Sequence, residues 1–216
     1  MAVGRMADAV MENVIQRSAS YFFVLVLLAA GIAVGALCIR VLEPGQELEL
    51  RSYVTGALRV LGEGPPITDA REAWRWALAG NVRTAAWLWI LGLTVVAAPL
   101  VLVVLFLRGF VVGFTVGFLV KEMGWRGVLI AAVGVFPQNL LAVPALVVGS
   151  VICLSFAGAV LRNRLAPRRM PWAGMVAGYT LSMAVLALVF LAASFVEAYV
   201  SPTLLRLVSP LLVPRG

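Results

Sequence analysis

Residues 108–158 read RGFVVGFTVGFLVKEMGWRGVLIAAVGVFPQNLLAVPALVVGSVICLSFAG. Two apolar segments flank a short charged turn at Lys121-Glu122, and the second is interrupted by Phe136-Pro137-Gln138-Asn139 and again by Pro144. In a soluble chain a Pro-Gln-Asn step would mark a loop. Here it falls inside the apolar run 127–161, which is too long for one straight crossing of a bilayer. Backbone released by a proline cannot face hydrocarbon, so this step must be buried against protein or a wet cavity. The stretch therefore describes a membrane helix broken part-way along.

The remaining composition agrees. The chain has 216 residues, of which 62% are hydrophobic and 12% charged, against about half and a quarter in soluble domains. The fold class is an all-α integral membrane protein, a polytopic bundle of about five transmembrane helices whose fourth span breaks at the Pro-Gln-Asn motif. The net charge of +7 would suggest nucleic acid in a soluble protein. Its arginines sit at the ends of apolar runs, where the positive-inside rule accounts for them, and nucleic-acid binding is not expected.

Residues 1–20 form a cytoplasmic lead-in with apolar residues at helical spacing. The first span is 21–40, with Gly31 and Gly35 forming a small-xxx-small face; glycine is also simply common in membrane helices. Residues 41–80 form the one sizeable polar segment, an extracytoplasmic loop rich in Glu. It offers a surface for a protein partner or a lid over the bundle. Asn81 opens the second span, 84–107, with Pro99 inside it and Arg108 at its end. The third span, 109–120, carries Gly109, Gly113 and Gly117 at four-residue spacing, each followed by a phenylalanine. One face is therefore nearly bare backbone, suited to close helix contact, with pore-lining glycines as the alternative. The fourth span is 127–161. Arg162, Arg164, Arg168 and Arg169 follow within eight residues and place the 162–171 loop in the cytoplasm. The fifth span, 172–199, includes Gly174 and Gly178 as a further packing pair, and 200–216 is an extracytoplasmic tail of interfacial or re-entrant character. Counting back from the arginine loop puts the N-terminus inside and the C-terminus outside.

Chemistry is sparse. The chain has no histidine, so histidine bases and ligands are excluded, and no nucleophile–base pair, metal cluster or phosphate loop is present. Neither an enzyme nor a cofactor is expected. Cys38 and Cys153 fall inside apolar runs and read as small buried hydrophobes. Arg83, Arg108, Glu122 and Glu197 lie near span ends, where snorkelling explains them. Gln138, Asn139, Ser150 and Ser155 are the polar groups nearest mid-membrane. Gln138 and Asn139 serve either to bond across helices or cap a broken half-helix, or as part of a solute site at a discontinuous helix, which would make the chain a small transporter or permease subunit.

Asn81-Val-Arg-Thr-Ala85 opening a span, the glycine-rich middle, and Phe136-Pro-Gln-Asn-Leu-Leu-Ala-Val-Pro144 together resemble the stage II sporulation protein M family. The resemblance covers most of the chain and is most specific from Phe136 to Pro144. Distant relatives carry a His-Gly…Glu pattern there; Gln138-Asn139 looks like the spore-former branch. The resemblance implies a non-enzymatic membrane scaffold at the sporulation septum and engulfing mother-cell membrane. A homodimer in the lipid bilayer is the assembly expected of such a scaffold. Its implied partners are stage II sporulation proteins P and D, which remodel peptidoglycan.

Overall fold

The computed structural model describes residues 18–41, 45–46, 48–50, 52, 56, 70–165 and 171–212. The lead-in before residue 18, most of the polar loop, and Arg168 and Arg169 lie outside the described residues. Among those described, the elements are helical throughout. They are α1 (Ser18–Cys38), a 3-10 turn (Ile39–Val41), α2 (Ala70–Leu93), a 3-10 turn (Val95–Ala97), α3 (Leu100–Met123) and α4 (Trp125–Ile130). A π-turn (Ala131–Val135), α5 (Phe136–Leu165), α6 (Trp172–Phe195), a second π-turn (Val196–Val200) and α7 (Ser201–Leu212) complete the order.

Four continuous helical segments are long and apolar enough to cross a membrane: Ser18–Val41, Leu100–Met123, Trp125–Asn163 and Trp172–Leu205. Their outer faces carry Phe22, Leu25, Val103, Leu140 and Leu188, all exposed. An apolar exterior is what a lipid solvent selects. The interior is built instead from small and branched residues, with Val24, Val101, Leu105, Leu146, Val151 and Ala193 among the most buried.

The helix boundaries differ from the sequence expectation in the middle of the chain. No span runs 84–107. Helix α2 ends at Leu93, Pro99 stands at the head of α3, and α3 then runs 24 residues without interruption. Proline has no N–H to give to a helix interior but is well suited to a first turn, so Pro99 begins a helix here. Arg108 consequently falls inside α3 instead of closing a span, and 109–120 is the second half of that helix. Helix α3 stops at Gly124, whose φ of 57° favours a residue without Cβ; its N–H donates to Val120 O at 2.9 Å.

The interruption of the fourth span is also particular. The helix from Trp125 to Asn163 stays continuous, and the disturbance is the π-turn that ends two residues before Pro137. A wider turn lets the chain pass a proline while keeping most backbone groups bonded. Pro144 lies inside α5 on an exposed face. The last span follows the same plan, with Pro202 two residues beyond the π-turn Val196–Val200. The segment 201–212 is thus a helical continuation of the span, and Leu205 packs over Gly134.

Facing residues give the directions. Gly31 and Gly35 meet the backbone at Phe106 and Phe110, while Gly109 and Gly113 meet Leu28 and Ile32. Numbers rise together, so α1 and α3 run parallel, backbone to backbone, through the two glycine faces. A Cβ on Gly109 would stand 2.6 Å from Leu28 O. By contrast, Gly174 and Gly178 have nothing within 4 Å of a Cβ position; the packing expected of them is not made among the described residues. Helix α2 lies antiparallel to α6, with Trp74 on Phe195 and Tyr199 and Leu88 against Tyr179. The final part of the expected 41–80 loop is therefore the first half of a packed helix.

Candidate functional site

The described structure gathers Asn81, Arg108, Gln138, Asn139, Ser194 and Glu197 into one interior polar cluster, contributed by α2, α3, α5, α6 and the second π-turn. Asn81 is buried, and its Nδ2 donates to Ser194 Oγ at 2.9 Å and to Glu197 Oε2 at 3.3 Å. Ser194, fully buried, donates to Phe190 O at 2.9 Å, with Ala77 O a second acceptor at 3.3 Å. The Gln138 amide faces the Glu197 carboxylate. With its nitrogen on that side, as an acceptor-only carboxylate requires, it donates to Oε1 at 3.1 Å and Oε2 at 2.9 Å. Glu197 thus accepts from two helices besides its own.

The positive side of the cluster is Arg108. Its guanidinium donates to Asn139 Oδ1 at 3.2 Å, and Asn139 Nδ2 donates in turn to Val135 O at 2.7 Å. That carbonyl closes the first π-turn, so Asn139 both holds Arg108 and occupies backbone loosened ahead of Pro137. Arg108 and Glu197 attract one another across the cluster. Both lie well inside their segments: Arg108 follows Leu100 by eight residues, about 12 Å of helix, within a helix ending at Met123. The expectation that Arg108 and Glu197 mark span ends is corrected on this point. In hydrocarbon such groups are tolerated where they face polar partners inside the bundle; here Arg108 bonds Asn139, and Glu197 accepts from Asn81 and Gln138.

The local chain explains the placement. A π-turn inserts one extra residue into a helical turn, and each of the two here lies beside cluster residues: Gln138 and Asn139 follow the first, and Glu197 stands within the second. The Ser201 hydroxyl, four residues after Glu197, is buried without a hydrogen-bond partner among the described residues. Of the residues singled out in the sequence, Asn81, Gln138 and Asn139 meet in the cluster. Phe136 is exposed, Pro137 is half-buried beside the cluster, and Pro144 lies apart from it. Arg162 is exposed at the far end of α5, and the Arg164 side chain is outside the described residues.

A second, smaller lock lies along α2 and α6. Tyr179 OH donates to Leu88 O at 2.7 Å and approaches Trp89 O at 3.3 Å. The hydroxyl enters the space left by Gly92, beside Cys153. Phe156 stacks on the Tyr179 ring with centroids 4.4 Å apart. No group of three His, Cys, Asp or Glu placed to hold a metal occurs among the described residues.

The architecture and the cluster define a multi-pass membrane protein whose crossing helices are tied together by interior polar side chains. The model of one family, described as stage II sporulation protein M, matches residues 24–202. The chain belongs to that family, which makes it a sporulation membrane protein of a family not known for enzymes. No curated protein and no solved structure matches it.

Proposed function

We propose that the chain is a non-enzymatic scaffold of the engulfment machinery of endospore formers. It sits as a homodimer in the mother-cell membrane at the septum, N-terminus inside, and positions stage II sporulation proteins P and D against septal peptidoglycan. The family match over residues 24–202 carries this reading. The cluster supports it, because Asn81, Gln138, Asn139, Arg108 and Glu197 spend their hydrogen bonds on one another and so brace the helices that would hold an outer docking loop in place.

The test replaces residues 45–66 with a short flexible linker and leaves Ala70–Leu93 intact, since Trp74 and Ala77 are packed. In a sporulating host the variant should reach the membrane at normal abundance yet no longer co-purify with the two partners. Recruitment that survives the replacement would remove the loop from the mechanism.

One observation favours a second reading, a small transporter or permease subunit: an arginine and a glutamate face each other inside the bundle beside two π-turns, and such turns recur at functional sites. On that reading Gln138→Ala and Asn139→Ala abolish a solute flux at unchanged membrane abundance. On the scaffold reading they lower stability and there is no flux to lose.

A further inference from the structure

Arg83 has no role in the cluster, and its surroundings differ from those of every charge described so far. It lies on α2 thirteen residues after Ala70 and ten before Leu93, so its Cα is about 15 Å from the nearer helix end. Neighbouring helices give the same level. Leu88 meets Gly149, and Gly92 meets Cys153, so α2 and α5 run in step and residue 83 is level with residue 144. That position is the midpoint of the apolar segment Trp125–Asn163. Yet Arg83 points away from the bundle. It is exposed and makes no hydrogen bond, ion pair or ring contact among the described residues.

An arginine facing hydrocarbon at that depth is costly on any scale. Snorkelling gives poor relief, since a helical side chain leans toward its own N-terminus, which for Arg83 is the longer way out of α2. Around the guanidinium the same face shows Val82, Trp87 and Ile90, all exposed, with Ala86 between them. This is an apolar strip with one unpaired positive charge at its centre. The complementary surface is a transmembrane helix bearing one carboxylate at mid-depth.

We propose that the Arg83 face of α2 docks the membrane-spanning helix of a different protein, through an Asp or Glu placed near the middle of that helix. A second copy of this chain does not fit the same requirement. Among the described residues its one carboxylate at comparable depth is Glu197, which already accepts from Asn81 and Gln138 inside the bundle. The inference is independent of the polar loop and survives if loop replacement leaves recruitment intact.

The test uses the full chain in phosphatidylethanolamine–phosphatidylglycerol vesicles, donor-labelled, with acceptor-labelled Leu-Ala transmembrane peptides read by energy transfer. One peptide carries Glu at its central position and the control carries Leu. The Glu peptide should associate roughly tenfold more tightly, the scale of a good interhelical polar contact in a bilayer. Arg83→Leu should erase that preference, while Arg83→Lys should retain part of it. Because Arg83→Leu removes an unpaired charge, its thermal unfolding should match or exceed that of the parent, which separates lost docking from lost folding. Equal binding of the two peptides, or a preference that persists in Arg83→Leu, overturns the proposal. So does self-association of the chain in peptide-free vesicles that disappears in Arg83→Leu, since it would assign the face to a second copy.

Discussion

Replacing Glu197 with leucine tests the cluster most directly. The change deletes the acceptor for two bonds from Gln138, at 2.9 and 3.1 Å, and one from Asn81 at 3.3 Å. Interhelical hydrogen bonds measured within bilayers average about 0.6 kcal/mol, so these three account for about 2 kcal/mol. Arg108 is then left as a half-buried charge without its counter-charge. The attraction to Arg108 acts across the cluster between two partly exposed groups, and its loss adds about 1–2 kcal/mol. Together Glu197→Leu should destabilise the chain by about 3–4 kcal/mol. The assay is reversible unfolding in mixed micelles, or steric trapping in bicelles, on Glu197→Leu, Arg108→Leu and the double variant. The double variant should be more stable than the sum of the two single losses predicts, by at least about 1 kcal/mol, since it removes both charges together. A loss below about 0.5 kcal/mol for Glu197→Leu, or strictly additive variants, would refute the view that these charges brace the bundle as a pair.

Other consequences follow from single contacts. Gly113→Leu should force α1 and α3 apart, because a Cβ there would meet the Ile32 carbonyl; melting of Gly113→Leu, followed by thermal unfolding, should fall by several degrees. Gly174→Leu and Gly178→Leu should alter stability by less than about 0.5 kcal/mol, as open positions do. Tyr179→Phe should cost about 1–3 kcal/mol by leaving the Leu88 carbonyl with one fewer donor, and Gly92→Ala should cost at least as much because the new methyl meets the same hydroxyl; thermal unfolding of the two variants checks both.

The helical class and the apolar exterior were legible from composition and run length alone. The residues Asn81, Gln138 and Asn139 were legible as polar anomalies, because an amide inside an apolar run has no ordinary use in lipid. Arg108 and Glu197 were not, for a common reason. In sequence a charge beside an apolar run reads as the end of that run, and Pro99 reads as lying within one. The opposite holds: Pro99 begins α3, which shifts the helix by about two turns and carries Arg108 into the interior. The signal was present, since nothing between Leu100 and Met123 can stop a helix. Glu197 was hidden by the tail, where three prolines suggested a break that the second π-turn accommodates instead. The parallel pairing of Gly31 and Gly35 with Gly109 and Gly113 also lay beyond one-dimensional reasoning, because spacing marks a face but not its partner.

The two π-turns make the chain forgiving of length in two short windows and unforgiving elsewhere. Each absorbs one residue that a regular helix could not hold without rotating, and one residue corresponds to about 100° of rotation about the axis. Deleting a single residue from 131–134 would turn the wide turn into an ordinary α-helical one while Gln138 and Asn139 keep facing the cluster. The same deletion in the regular part of α3, between Leu100 and Arg108, has no wide turn to absorb it and would set Arg108 and the glycines beyond it about 100° away from their present partners. The register of the interior is therefore carried by the regular helices, and the two wide turns are where a residue can be lost or gained without reassigning which faces meet lipid.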